Sequence, residues 1–264
     1  MTTFIERLTE FGQTIKLEDR FNFDFEIDSN IFTDNEKNSL LEEQNIFRRN
    51  VRLKELIKNK ANNSYELTNL NFWIINNWGG IRTFKENEKN LNRFKEFSAQ
   101  LLKSKLTLDT FGTISSLSKV ASFIDPDNYV IYDSRVVYAI NWLILTTGTT
   151  ELKYFPMPSS RNKKLVDFDI NTIINLVNIE KYKRNETLYY DHKTAYFEFC
   201  DLIKSLVGTV FNDNQTKPYH LEMLLFTIAD KEIFDELTKK ISIGIKPTAN
   251  MGLWQVGRTE LIEH

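Results

Sequence analysis

Residues 115–137 read SSLSKVASFIDPDNYVIYDSRVV, and the organisation of the whole chain is read outward from them. A helix-like apolar run carries a single lysine, Lys119. It stops at the turn Asp125-Pro126-Asp127-Asn128, because proline disfavours helical backbone in the residue before it. A short apolar, strand-like run from Tyr129 to Tyr132 then leads to Asp133. The Asp133 side chain is placed to cap a second helix by accepting from backbone N–H groups near Arg135 and Val136. The unit thus delivers an amine and a carboxylate to one point, which is the equipment of an activated lysine nucleophile. A plainer reading uses the same residues: Lys119 is a surface lysine and Asp133 only a cap. A third takes Ser116-Leu117-Ser118-Lys119 as the Ser-x-x-Lys motif of acyl-serine enzymes, but the nearest partner motif, Lys193-Thr194-Ala195, lacks its glycine and no Ser-Asp-Asn occurs.

Helical periodicity dominates on both sides of this unit. Helices are predicted over Thr3–Phe11, over Phe47–Lys58 with Val51, Leu53, Leu56 and Ile57 apolar, and over Tyr65–Trp78, stopped by Gly79-Gly80. A further helix is predicted over Leu91–Leu106. The basic residues Lys85, Lys89, Arg93 and Lys95 accompany it, but Glu86, Glu88 and Glu96 interleave with them, which reads as a solvated face. The second helix of the central unit is predicted from Ser134 to Thr147. Later ones follow over Phe168–Val177, Asp191–Val207, Tyr219–Ile228 and Lys231–Lys240, and the last twenty residues read as an irregular tail or edge element. Leu17–Ile31 alternates at Phe21, Phe23, Phe25 and Ile27, so it is either a strand or a loop anchored by aromatics. The expectation is a mostly α fold with a small β element near the N-terminus. It is read as one helical domain over 1–264, with an internal division into a lobe of about 1–106 plus the C-terminal helices and a unit over 107–150.

Composition sets the outer limits. With 264 residues, 41% of them hydrophobic and 27% charged, the chain can bury a substantial core. A formal charge of -2 means that any nucleic-acid contact must rest on a local basic surface. One cysteine, Cys200, excludes an intramolecular disulfide, and its aromatic surroundings mark it as a small core residue. The acidic N-terminal stretch does not read as a signal peptide, and the longest apolar runs are too short to span a membrane. A cytoplasmic monomer is expected. Three histidines and one cysteine are too scattered for a zinc centre, and no Gly-rich phosphate loop occurs, so neither metal nor cofactor is expected.

Lys119-Val120-Ala121, Asp125-Pro126 and Tyr132-Asp133-Ser134-Arg135-Val136 together resemble the catalytic segment of the helix-hairpin-helix DNA glycosylase superfamily, in its 8-oxoguanine glycosylase-like branch. The specific likeness covers about 25 residues. In that family a Gly-hydrophobic-Gly hairpin leads into the lysine helix, and an apolar run ends in an aspartate that caps the next one. Two departures stand out. Ser115, Ser116 and Leu117 occupy the positions expected for the hairpin glycines, and Asp133 follows Lys119 by only fourteen residues.

The resemblance implies a helical glycosylase-like fold and a DNA glycosylase, with lyase activity, that removes an oxidised or otherwise modified base from double-stranded DNA. Its setting would be base-excision repair or defence against modified phage DNA. Lys119 would attack the sugar C1′, and Asp133 would stabilise the cation-like sugar. Ser115, Ser116, Ser118, Arg135, Arg161, Lys163 and Lys164 are the candidate phosphate contacts. Trp73, Trp78, Tyr132 and His220 are the candidates for holding an extruded base, although core packing is the commoner use of any one aromatic. A non-catalytic DNA-binding module on the same helical fold is the competing expectation.

Overall fold

The computed structural model describes residues 1–62, 64–65 and 67–242, together with the backbone of 245–247 and 254–256. The chain is mostly helical. In order, the helices are α1 (Thr2–Thr14), α2 (Leu17–Arg20), α3 (Asp34–Leu41), α4 (Ile46–Ala61), α5 (Thr68–Trp73), α6 (Glu88–Leu101), α7 (Leu108–Gly112) and α8 (Ile114–Ile124). They continue as α9 (Ser134–Thr146), α10 (Lys163–Asp167), α11 (Ile170–Val177), α12 (Ile179–Lys183), α13 (Ala195–Phe211), α14 (Pro218–Ile228) and α15 (Phe234–Lys240). Two wider π-helical turns, Ile74–Trp78 and Ala229–Ile233, extend α5 and join α14 to α15. Strands β1 (Ile245–Pro247) and β2 (Trp254–Val256) pair antiparallel. The rest of the tail, with the side chain of Trp254, lies outside the described residues.

Local chemistry explains most boundaries. Asn45 caps α4 by accepting from the Arg48 N–H, and Asn62 closes it in the left-handed conformation at φ 45°. Thr33 and Glu36 form a reciprocal capping box on α3. Asp169 caps α11 through the N–H groups of Asn171 and Thr172. Pro218 opens α14 at a position where a missing N–H costs nothing.

The N-terminal β element is not formed. Phe21, Phe23, Phe25 and Ile27 lie in a loop without strand pairing. Phe21 packs on Phe47 and Phe226, Phe23 on Trp78 and Phe226, and Phe25 on Trp73. The period-two pattern is satisfied by helices rather than by a partner strand, and the Asn50 amide donates to the Phe23 carbonyl where a ladder bond would have been. Several expected helices are shorter or shifted: the one predicted over Tyr65–Trp78 starts at Thr68, the one over Leu91–Leu106 runs from Glu88 to Leu101, the one over Phe168–Val177 starts at Ile170, and the one over Asp191–Val207 runs from Ala195 to Phe211.

α8 and α9 sit at the centre of the molecule. Nearly every residue of α8 is buried, and α4 and the first π turn pack against it, with Ser122 meeting Lys54 of α4. α14 lies along α9 and α13. A continuous apolar cluster includes residues of all these helices. No helix among the described residues is long and apolar enough to cross a membrane.

Candidate active site

The extended run that carries Asp133 is not a strand; side chains from three helices hold its backbone. The Tyr132 N–H donates to Ser118 Oγ at 3.0 Å, the Ile131 N–H to Glu222 Oε2 at 2.9 Å, and the Tyr196 hydroxyl donates to the Val130 carbonyl at 3.2 Å. Ser118 precedes Lys119 and Tyr132 precedes Asp133, so the Ser118–Tyr132 bond sets the offset between the lysine and the aspartate. α8 ends at Ile124 before Asp125-Pro126, as the proline requires. Asp125 closes the turn by accepting from the Asn128 and Tyr129 N–H groups.

Lys119 and Asp133 converge. Lys119 is 6% exposed, and its Nζ donates to the Ser115 carbonyl at 2.8 Å and stands 3.9 Å from Asp133 Oδ2. The other Asp133 oxygen accepts the Arg135 N–H at 2.8 Å, so the carboxylate caps α9 and faces the amine at once. Burial pushes the Lys119 amine below the ordinary lysine value, against the pull of Asp133 and Glu222 in the other direction. Gly79, after the π turn, gives the lysine stem its room: a Cβ there would lie 2.8 Å from Lys119 Cδ and 2.8 Å from the Ile75 carbonyl oxygen. Wide turns of this kind are frequent at functional sites.

Both groups open onto a cavity of about 580 Å³. Phe21, Phe23, Trp78, Phe84, Met223 and Phe226 give it an apolar wall, and Thr113, Ser115, Ser116, Asn90 and Arg93 give it polar edges. Arg135 and Arg161 also line it. The Arg135 guanidinium lies 4.6 Å from the centre of the Phe226 ring and 3.3 Å from Asp230 Oδ2, while exposed Arg161 donates to Thr83 Oγ1 at 2.8 Å.

Several candidates fall elsewhere. The turn between α7 and α8 comes at Thr113, so Ser115 and Ser116 lie in the first turn of α8 rather than in a hairpin loop. Ser118 is wholly buried and bound to Tyr132, which removes it as a phosphate contact. Lys163 and Lys164 do not line the cavity: Lys163 pairs with Asp167 on its own helix, and Lys164 donates to the Asp230 carbonyl. Of the four base-pocket candidates, Trp78 alone lines the cavity, with its Nε1–H bound to Asn50 Oδ1 at 2.8 Å. Trp73 packs in the core on Phe25 and Phe32. Tyr132 is fully buried, with its hydroxyl on the Pro156 carbonyl. His220 sits among Phe47, Phe211 and Tyr219. Cys200 is buried, and its thiol is pushed up to about 12 by desolvation, so it is inert.

Three polar residues of this region were not anticipated. Arg93 belongs by charge interleaving to the solvated basic face, but it turns toward the cavity, held by Asn90 Oδ1 at 3.0 Å. Glu222 lines the cavity and is 4% exposed. Behind it, Lys54 is wholly buried on α4, 4.0 Å from Glu222 Oε2, and donates to the Ser122 hydroxyl at 3.1 Å and carbonyl at 3.3 Å. The stripe Phe47, Asn50, Lys54, Ile57, Ala61 repeats at helical spacing, so the inward position of Lys54 was available from the sequence.

No protein-family model, no curated protein and no solved structure matches the chain.

Proposed function

We propose that this protein is a DNA glycosylase that uses Lys119 as its nucleophile to remove an oxidised or otherwise modified base from double-stranded DNA, with strand nicking by β-elimination as the companion activity. The observation that carries this reading is the 3.9 Å approach of the Lys119 amine to the Asp133 carboxylate at the edge of a large, partly aromatic cavity. Burial lowers the Lys119 amine, which favours the neutral form whose lone pair attack at C1′ requires. The Asp133 carboxylate stands beside Lys119, where the sugar becomes cation-like. Loss of the base leaves a covalent sugar–lysine adduct that opens to a Schiff base, and β-elimination from it breaks the 3′ phosphate ester. The target base leaves the stack at a cost of a few kcal/mol, and the Phe23, Trp78 and Phe226 wall offers it apolar faces. Arg93, Arg135 and Arg161 supply local positive charge in a chain that is acidic overall. Both settings, repair of oxidised bases and attack on hypermodified phage DNA, use this chemistry.

Borohydride trapping on duplexes carrying 8-oxoguanine and a panel of other modified bases tests the proposal. The expected result is a covalent protein–DNA adduct that disappears in Lys119→Gln. No adduct and no base release on any of the duplexes would reject catalysis and leave the DNA-binding module as the reading.

A further inference from the structure

Lys119 and Asp133 do not stand alone. Glu222 borders the same cavity, and Lys54 sits behind it without access to the cavity. The four residues come from four places in the chain: α4, α8, the end of the extended run and α14. A buried lysine–glutamate pair is seldom more stable than apolar side chains of the same volume, so stability alone does not account for it. Lys54 is also too well held, by Ser122 and over the Phe123 ring at 4.4 Å, to swing into the cavity.

Asp133 has two demands on its charge. One oxygen caps α9, and the other must remain negative beside a cation-like sugar. If Asp133 also took the lysine proton, it would lose that charge at the moment it is needed. A second carboxylate resolves the conflict, and Glu222 is the one that borders the cavity.

We propose that Glu222 is the acceptor of the Lys119 proton, with Lys54 as the positioning residue that holds the Glu222 carboxylate ready for it. The assignment rests on the reading of Lys119 as a nucleophile. Among the described residues no ion pair joins Lys119 to Glu222 directly, but both line the same cavity, and in the proposed transfer water within it carries the proton. A Lys119 Nζ–H bond breaks and its proton passes to Glu222. The nitrogen lone pair then bonds to C1′, and the electron pair of the glycosidic bond leaves with the base. The departing base takes the proton from Glu222, which returns to its ionised form. Burial moves the two groups toward each other, the amine downward and the Glu222 acid upward, which brings the transfer closer to balance. The charged and titratable groups facing Lys119 are Asp133, Glu222 and, behind the latter, Lys54.

Reaction with a small aldehyde tests this without DNA. Glycolaldehyde with cyanoborohydride forms an imine at Lys119 and reduces it, and peptide mass spectrometry counts the adduct over time at pH 7.5. Glu222→Gln keeps an oxygen for the Ile131 N–H and nearly the same volume. If Glu222 acts only through its charge, its loss lowers the Lys119 value further and the adduct forms faster. If Glu222 accepts the proton, Glu222→Gln slows the adduct about tenfold or more, and Glu222→Asp recovers part of the rate. The double variant Lys54→Met/Glu222→Gln, which leaves no lone buried charge, is expected to be as slow as Glu222→Gln and guards against misfolding of a single variant. A rate in either variant equal to or above wild type overturns the proposal. This outcome is distinct from failure of the glycosylase reading, which is registered only by the absence of trapping on DNA.

Discussion

Asp133 accepts a helix N–H with one oxygen and faces the lysine with the other, so substitution separates its two tasks. Asn is as good a cap as Asp, whereas Ala removes the cap at a cost of about 1 kcal/mol. Asp133→Asn keeps the cap but removes the partner of Lys119, so it is expected to lose less stability in urea than Asp133→Ala, yet to lose about 100-fold or more in single-turnover trapping. Asp133→Ala loses both. Trapping unchanged in Asp133→Asn would reduce the residue to a cap. Lys119 yields to a pH argument. Its folded value lies below the value of about 10.4 in the unfolded chain, so between the two the unfolded state binds more protons and stability rises with pH. Lys119→Met lacks this gain. The stability of wild type relative to Lys119→Met is expected to improve from pH 8 to pH 10, at most by about 1.4 kcal/mol per pH unit. A flat difference measured by urea unfolding would mean that the amine is not held below its ordinary range.

Between α8 and α9 the decisive element is the extended run 129–133, which has no sheet to fix it. Its backbone depends on Ser118, Glu222 and Tyr196. Ser118→Ala leaves the buried Tyr132 N–H without a partner, at a cost of about 1–3 kcal/mol, and frees Asp133 to shift against Lys119. Lowered stability together with a loss of trapping larger than the loss of folded protein is expected; lowered stability alone would make Ser118 purely structural. The sequence made this element legible only in outline. Lys119, the proline stop and the Asp133 cap could be read because each depends on near neighbours in the chain. The extended run looked like a strand because its residues are apolar, but its hydrogen-bond partners lie up to 91 positions away on α14, and no local pattern reveals them. The same holds for Phe21–Ile27, where alternation signalled two-sided burial and could not say that helices would supply it. Arg93 shows the converse: charge interleaving gave the right face for exposed Lys85, Lys89 and Lys95 but could not say that one arginine turns inward.

At the scale of the whole molecule, the chain carries a net charge of -2, so a duplex must be met by an uneven distribution of charge. The arginines at the cavity provide that unevenness, while the lysines of α10 are engaged beside it. Each phosphate contact releases counterions and adds about 0.9 to the slope of log affinity against log salt. Arg161 is exposed, and among the described residues its one hydrogen bond to protein uses a single guanidinium nitrogen, which leaves other N–H groups for phosphate. Arg135 must first give up Asp230, so its contribution is smaller. Fluorescence anisotropy with an unmodified 20-base-pair duplex over a KCl series separates these positions. Arg161→Ala is expected to reduce the slope by about 1, Arg135→Ala by less, and Lys163→Ala not at all. A larger effect at Lys163 than at Arg161 would move the DNA path from the cavity mouth to α10. The base would then have no route to Lys119 and Asp133, and the catalytic proposal would fall with it.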